Sequence, residues 1–296
     1  MIDTLTEIRE DDQSIQSEYD NLSEDGAADY PKGVILRFQP QKKHEKLILD
    51  NPDVSTLMLN IEYAERLTRK NKTAKSYFGP QKDVIITSTI PDEKLELWDI
   101  QREVRLAKEF NPDFYVPCDY PVYKSHSRKK RIDFIEGYVR ELEDFKNRIK
   151  NVQTSIIPLV KGYSEKERRI CYRSFEKLGL NYIAYYCAQY FGGQVGNRFN
   201  DLLETIHNIV VEFSPIGILL VGLLSQKKLR QFPPNVVAAA GQRWIMKSGL
   251  RDDIGEEEKK QNLANWMKEV EKALRSSQTN LKMFDKGVIR DGNWDN

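Results

Sequence analysis

The chain has 296 residues, 40% of them hydrophobic, enough to bury one large or two small globular cores. Its 46 basic and 45 acidic residues leave a formal net charge of +1, which excludes a global field favouring nucleic acid, membranes or acidic ligands but allows a local patch. No apolar run reaches the roughly 18 residues of a membrane span, and neither the three cysteines nor the three histidines show metal-ligand spacing.

The N-terminus lacks the basic and apolar regions of a signal peptide, so a cytoplasmic protein without membrane, metal or other cofactor is expected. Residues 1–30 are acidic and poor in large apolar side chains, which predicts a mobile arm outside the fold. Residues 31–296 are expected to form a single domain. They carry eight short apolar runs: Val34 to Phe38, Thr56 to Leu59, Val84 to Thr87, Phe114 to Val116, Ser155 to Leu159, Tyr182 to Tyr186, Gly217 to Val221 and Val236 to Ala240. None alternates with polar residues, the pattern of parallel strands covered on both faces.

Helical patterns lie between the runs. Leu95, Trp98, Val104, Leu106 and Phe110 mark one, and Ile132 through Ile149 recur at three and four in the next. A third runs from Ser164, with Glu167 at capping-box distance, to a glycine stop at Gly179. A fourth carries Phe199 to Phe213, and a final amphipathic helix carries Leu263, Trp266, Met267, Val270 and Leu274. Shorter helices are expected over Lys42 to Leu49 and Leu223 to Phe232. Eight strands alternating with helices predict an α/β fold, a (β/α)₈ TIM barrel, with an open doubly wound sheet as the rival. No glycine-rich nucleotide-binding turn follows the first strand, which favours the barrel.

Barrels of this kind place their functional groups at the carboxyl ends of the strands. Those ends carry Arg37 and Gln39, Asn60 and Glu62, Ser88, Asp119, Lys161, then Tyr186, Cys187 and Gln189, and finally Gln242 and Arg243. Asp119 and Glu62 are the carboxylates nearest to strand ends. Each residue also has a structural reading: Asp119 as a loop or N-cap carboxylate, Asn60 and Glu62 as structural polar residues, Lys161 as a solvated loop lysine, Cys118 and Cys187 as buried thiols. The basic run Lys124-Ser-His-Ser-Arg-Lys-Lys-Arg131 follows the Asp119 loop; Lys124, Arg128, Lys129, Lys130 and Arg131 are candidate phosphate contacts or a solvated helix start. Gly192-Gly-Gln-Val-Gly196 is a candidate lid at the same face.

The order of these residues resembles the tRNA-guanine transglycosylase superfamily, including the transglycosylase-like proteins that insert 7-deazaguanines into DNA. The resemblance runs from about Leu95 to Ala188, a third of the chain. It rests on Pro112-Asp-Phe-Tyr-Val-Pro-Cys-Asp-Tyr-Pro121, on Ile156-Ile-Pro-Leu-Val-Lys-Gly162 and on Leu178-Gly-Leu-Asn-Tyr-Ile-Ala184. It implies a barrel and base exchange: guanine leaves a nucleoside through a covalent glycosyl intermediate and a 7-deazaguanine such as preQ0 replaces it. It further implies that Asp119 reads the base and that Lys161 stands where the family has a glutamine. Tyr186, Cys187, Gln189, Gln242 and Arg243 would line the substrate site.

The chain departs from the family at two places. Asn60-Ile-Glu-Tyr63 aligns best with the family's catalytic Asp-Ser-Gly-Gly, so Glu62 or Asn60 would have to serve there. Gly241-Gln-Arg-Trp244 stands where the family has its nucleophilic aspartate. The family's zinc-binding cysteines are missing, which points to DNA rather than tRNA. Three functions are therefore weighed: an exchanging transferase, a catalytically silent relative that binds a base, nucleic acid or an active partner subunit or forms a homo-oligomer, and an unrelated metabolic barrel enzyme.

Overall fold

A computed structural model describes residues 30–191 and 196–276. The expected arm up to Asp29 and all but Gly196 of the glycine-rich loop lie outside the described residues. Contacts divide the chain into Met1–Tyr30 and Pro31–Asn296, and every described element belongs to the second unit.

Eight parallel strands form one sheet: β1 (Gly33–Arg37), β2 (Thr56–Asn60), β3 (Asp83–Thr87), β4 (Phe114–Val116), β5 (Ser155–Ile156), β6 (Tyr182–Tyr186), β7 (Gly217–Val221) and β8 (Val236–Gly241). Their spatial order is β5-β4-β3-β2-β1-β8-β7-β6. Apart from β5 and β6, consecutive strands are neighbours, and β1 pairs with β8, with Val34 opposite Ala239, so the order does not reverse at a switch point as it would in an open doubly wound sheet. The sheet curls, and its outer strands are β5 and β6.

No strand ladder joins those two. Instead the segment after β5 meets β6 at a single parallel bridge between Leu159 and Ala184. The Val160 N–H donates to Ala184 O at 3.0 Å and the Ala184 N–H donates to Pro158 O at 2.8 Å. The sequence run Ser155 to Leu159 predicts a longer strand. Pro158 explains the difference, because it has no N–H to give a ladder.

Between the strands run α1 (Lys42–Ile48), α2 (Ile61–Thr68), α3 (Ala74–Phe78), α4 (Asp92–Leu95), α5 (Ile100–Phe110), α6 (Arg128–Arg148), α7 (Glu165–Leu178), α8 (Phe199–Phe213), α9 (Gln226–Leu229), α10 (Trp244–Lys247) and α11 (Glu256–Ser276). They cover the sheet, which is why the strand interiors need no alternation: Ile35, Leu57, Ile85, Val116, Ile183 and Leu219 are all fully buried. The single helix expected from Leu95 to Phe110 is instead two. Asp99 caps α5 by accepting the Arg102 N–H at 2.8 Å, and Arg102 in turn donates to Leu97 O at 2.7 Å across the break. Among the described residues no helix is long and apolar enough to cross a membrane.

Candidate functional site

A cavity of about 550 Å³ opens at the carboxyl ends of the strands. It is lined from five of them: Arg37 ends β1, Thr89 follows β3, Asp119 follows β4, Lys161 follows the bridged segment after β5, and Tyr186 ends β6. Asp92 from the start of α4 and loop residues Tyr120, Tyr123 and Tyr163 complete the wall, with Gln189 from the turn after β6.

Asp119 is set by the backbone before it. Cys118 has φ of +57°, a left-handed conformation unusual for a non-glycine residue. Two hydrogen bonds hold this turn. The Cys118 N–H donates to the Glu103 carboxyl at 3.2 Å, and the Asp119 N–H donates to Ser88 Oγ at 2.9 Å. Ser88 is itself tied to Val116 O at 3.1 Å. Glu103 is buried, and burial pushes its carboxyl up to about 8, so it is protonated at neutral pH. The Tyr115 hydroxyl lies beside it without a hydrogen bond of ordinary geometry.

The Asp119 carboxylate forms an ion pair with Lys161, whose Nζ also donates to Tyr120 O at 2.9 Å and lies 5.4 Å from the centre of the Tyr138 ring. Both side chains remain partly accessible from the cavity, at 18% for Asp119 and 9% for Lys161. The pair therefore presents a hydrogen-bond acceptor next to a donor rather than two quenched charges. Lys161 is placed by the turn that follows it. Gly162 has φ of +110°, and a Cβ there would lie 2.7 Å from Glu167 Cβ. Glu167 closes the capping box with Ser164, accepts the Tyr163 N–H at 2.8 Å and pairs with Arg131 at 2.8 Å.

The tyrosines are mostly tied down as well. Tyr163 Oη lies 3.0 Å from Gln189 Oε1 and 3.2 Å from Val122 O, and Tyr123 donates to Asp92 at 2.8 Å. Burial raises the Tyr186 hydroxyl, which feels the charges of Arg37, Asp119 and Asp92 together. Arg37 is the cation least engaged: Nη2 reaches Thr89 O at 3.4 Å, and among the described residues no carboxylate pairs with it. Burial lowers its pKa.

The structure thus brings together Asp119, Lys161, Tyr186 and Gln189 from the residues singled out in the sequence. It leaves the others apart. Asn60 is the N-cap of α2, accepting the Tyr63 N–H at 3.0 Å. Glu62 is paired with Lys94 at 2.9 Å on a different surface. Cys187 is fully buried beneath the wall, with its thiol 3.6 Å from Tyr185 O. Gln242 and Arg243 are exposed and do not line the cavity, because the chain turns to bury Trp244 instead.

In the basic run, Lys124, Arg128, Lys129 and Lys130 are exposed, and none forms an ion pair among the described residues. Arg131 is different: it is held by Glu167 and by His126 O at 2.6 Å. Sequence reasoning did not single out Asp92, Tyr123 or Tyr163, which reach the cavity from the start of α4 and from loops that carry no strand-end signal. Arg37 was visible as a strand end but had no motif to raise it. No known protein family matches the chain, and no curated protein is significantly similar to it in sequence.

Proposed function

We propose that the curled sheet is a (β/α)₈ barrel of the TIM type, with its last seam narrowed to one bridge, and that its cavity recognises a guanine-type base. The Asp119–Lys161 pair carries this reading. The edge of guanine offers two N–H donors beside a carbonyl acceptor, and the pair offers a carboxylate beside an ammonium, the complementary order. Tyrosine walls give the planar ring surfaces to lie against.

With the resemblance described above, base exchange in nucleic acid is the activity this site fits best. The glycosidic bond to guanine breaks and one to a 7-deazaguanine such as preQ0 forms, the proton of the incoming ring nitrogen being balanced by the one the departing guanine gains. The exposed cations of the run from Lys124 to Lys130, next to cavity residue Tyr123, support a nucleic acid as the carrier; the missing zinc-binding cysteines favour DNA, and the cytoplasm is the compartment proposed.

Co-expression with a 7-deazaguanine supply, followed by nucleoside mass spectrometry of DNA and tRNA, tests the exchange. Modified deoxyguanosine in DNA that disappears with Asp119→Ala is the expected result; an unmodified digest would end the exchange reading. One observation favours a second reading, a catalytically silent base-binding protein or partner subunit. Asp119 is engaged by Lys161 and Asp92 by Tyr123, while Asn60 and Gln242 stand outside the cavity. Retained guanine binding with an unmodified digest would establish it.

A further inference from the structure

Arg37 poses a problem that base recognition does not solve. A guanidinium has five N–H donors, yet the described residues offer this one a single long hydrogen bond, to Thr89 O at 3.4 Å. The titratable groups beside it are the tyrosine hydroxyls of Tyr186 and Tyr63 rather than carboxylates. A partly buried cation left this way is costly unless something else completes its shell. Arg37 is nevertheless held in place, since the indole N–H of the fully buried Trp244 donates to Arg37 O at 3.2 Å.

The topology sets where the missing partner must be. β1 is separated from β5 by β4, β3 and β2 on one side, and from β6 by β8 and β7 on the other. Arg37 therefore faces the Asp119–Lys161 pair across the sheet's mouth, and both line the same cavity. Tyr186 lines the same cavity, within the field of Arg37 and of Asp119. A volume of about 550 Å³ exceeds what one bicyclic base fills.

We propose that Arg37 is an anion subsite that takes a phosphate attached to the base bound at Asp119 and Lys161, so that the ligand is a nucleotide unit rather than a free base. The planar guanidinium fork matches two phosphate oxygens, and a charge-assisted pair of this kind is the strongest contact such a group can make in a partly dry cavity. The base half of this assignment rests on the reading in the preceding subsection, whereas the anion half rests on Arg37 alone. The phosphate could belong to a mononucleotide or to one residue of a DNA strand; the shared chemistry is a phosphate one sugar away from a purine.

Calorimetric titration of the full chain with deoxyguanosine, deoxyguanosine monophosphate, inorganic phosphate and a short single-stranded DNA tests both halves. The monophosphate should bind roughly ten- to a hundredfold more tightly than the nucleoside. Arg37→Met should abolish that difference, while Asp119→Asn should weaken nucleoside and nucleotide alike. Arg37→Lys, which keeps the charge but not the fork, should retain part of the gain and guards against a folding defect in Arg37→Met. Equal affinity for nucleoside and nucleotide in the unaltered protein, together with strand binding that Arg37→Met leaves unchanged, would overturn the subsite while sparing the base reading. Arg37-dependent binding of inorganic phosphate without any nucleoside binding would spare the subsite and overturn the base reading. A strand that binds through Arg37 when the mononucleotide does not would assign the phosphate to DNA.

Discussion

Glu103 shows how a single side chain can set the shape of the site from beneath it. It sits on α5, where a glutamate four residues after the cap reads as a solvated first-turn acid, yet it is buried and holds the left-handed Cys118 turn that aims Asp119. In the unfolded chain its carboxyl titrates near 4.5, and in the folded protein burial moves it up to about 8. The folded state therefore binds the extra proton throughout that window. Stability from this group is full below pH 4.5, falls by up to about 1.4 kcal/mol for each pH unit above it, and levels off past pH 8. Glu103→Gln keeps an acceptor for the Cys118 N–H without the charge. Urea midpoints measured from pH 5 to 9 should show the wild type losing stability relative to this variant as pH rises; a constant gap would mean that Glu103 does not titrate there. Asp119 was legible in the sequence because it ends an apolar run. Glu103 was not, because nothing local distinguishes a buried helix acid from a solvated one.

Elements were legible where their signals are local. The Ser164–Glu167 box and the Gly179 stop of α7 are found as written, the glycine at φ of +65°, since capping chemistry needs only neighbouring residues. The end of β5 at Ile156 and the outward turn of Gln242 and Arg243 depend instead on partners far along the chain, Ala184 for the bridge and Arg37 O for the Trp244 indole. The turn between β5 and α7 combines both kinds of constraint. Gly162 must adopt φ of +110°, and Glu167 and the Arg168 N–H leave no room for a Cβ. Gly162→Ala should therefore cost about 1–3 kcal/mol of stability by urea denaturation. The loss should not stop at stability, because Lys161 is the preceding residue. Base affinity should fall in the same variant even below its unfolding range, and an alanine variant with unaltered affinity would show that the turn does not position Lys161.

At the scale of the whole molecule, charge is nearly balanced, so any attraction to a polyanion has to come from uneven distribution rather than from the net value of +1. Most described acids and bases near the cavity are matched: Asp119 with Lys161, Glu167 with Arg131, Arg168 with Glu212. Lys124, Arg128, Lys129 and Lys130 are not, and they stand in one exposed stretch from the cavity-lining loop into the first turn of α6. Basic residues at a helix N-terminus oppose the macrodipole, so this placement brings no structural benefit to α6. A DNA strand entering the cavity would cross this stretch and release counterions from each phosphate it pairs. Replacing all four residues by glutamine should lower the slope of log affinity against log salt by roughly 3, measured by fluorescence anisotropy with single-stranded DNA. Affinity for deoxyguanosine monophosphate should stay unchanged, since none of the four lines the cavity. An unchanged slope would separate the cavity from DNA and leave a mononucleotide as its ligand.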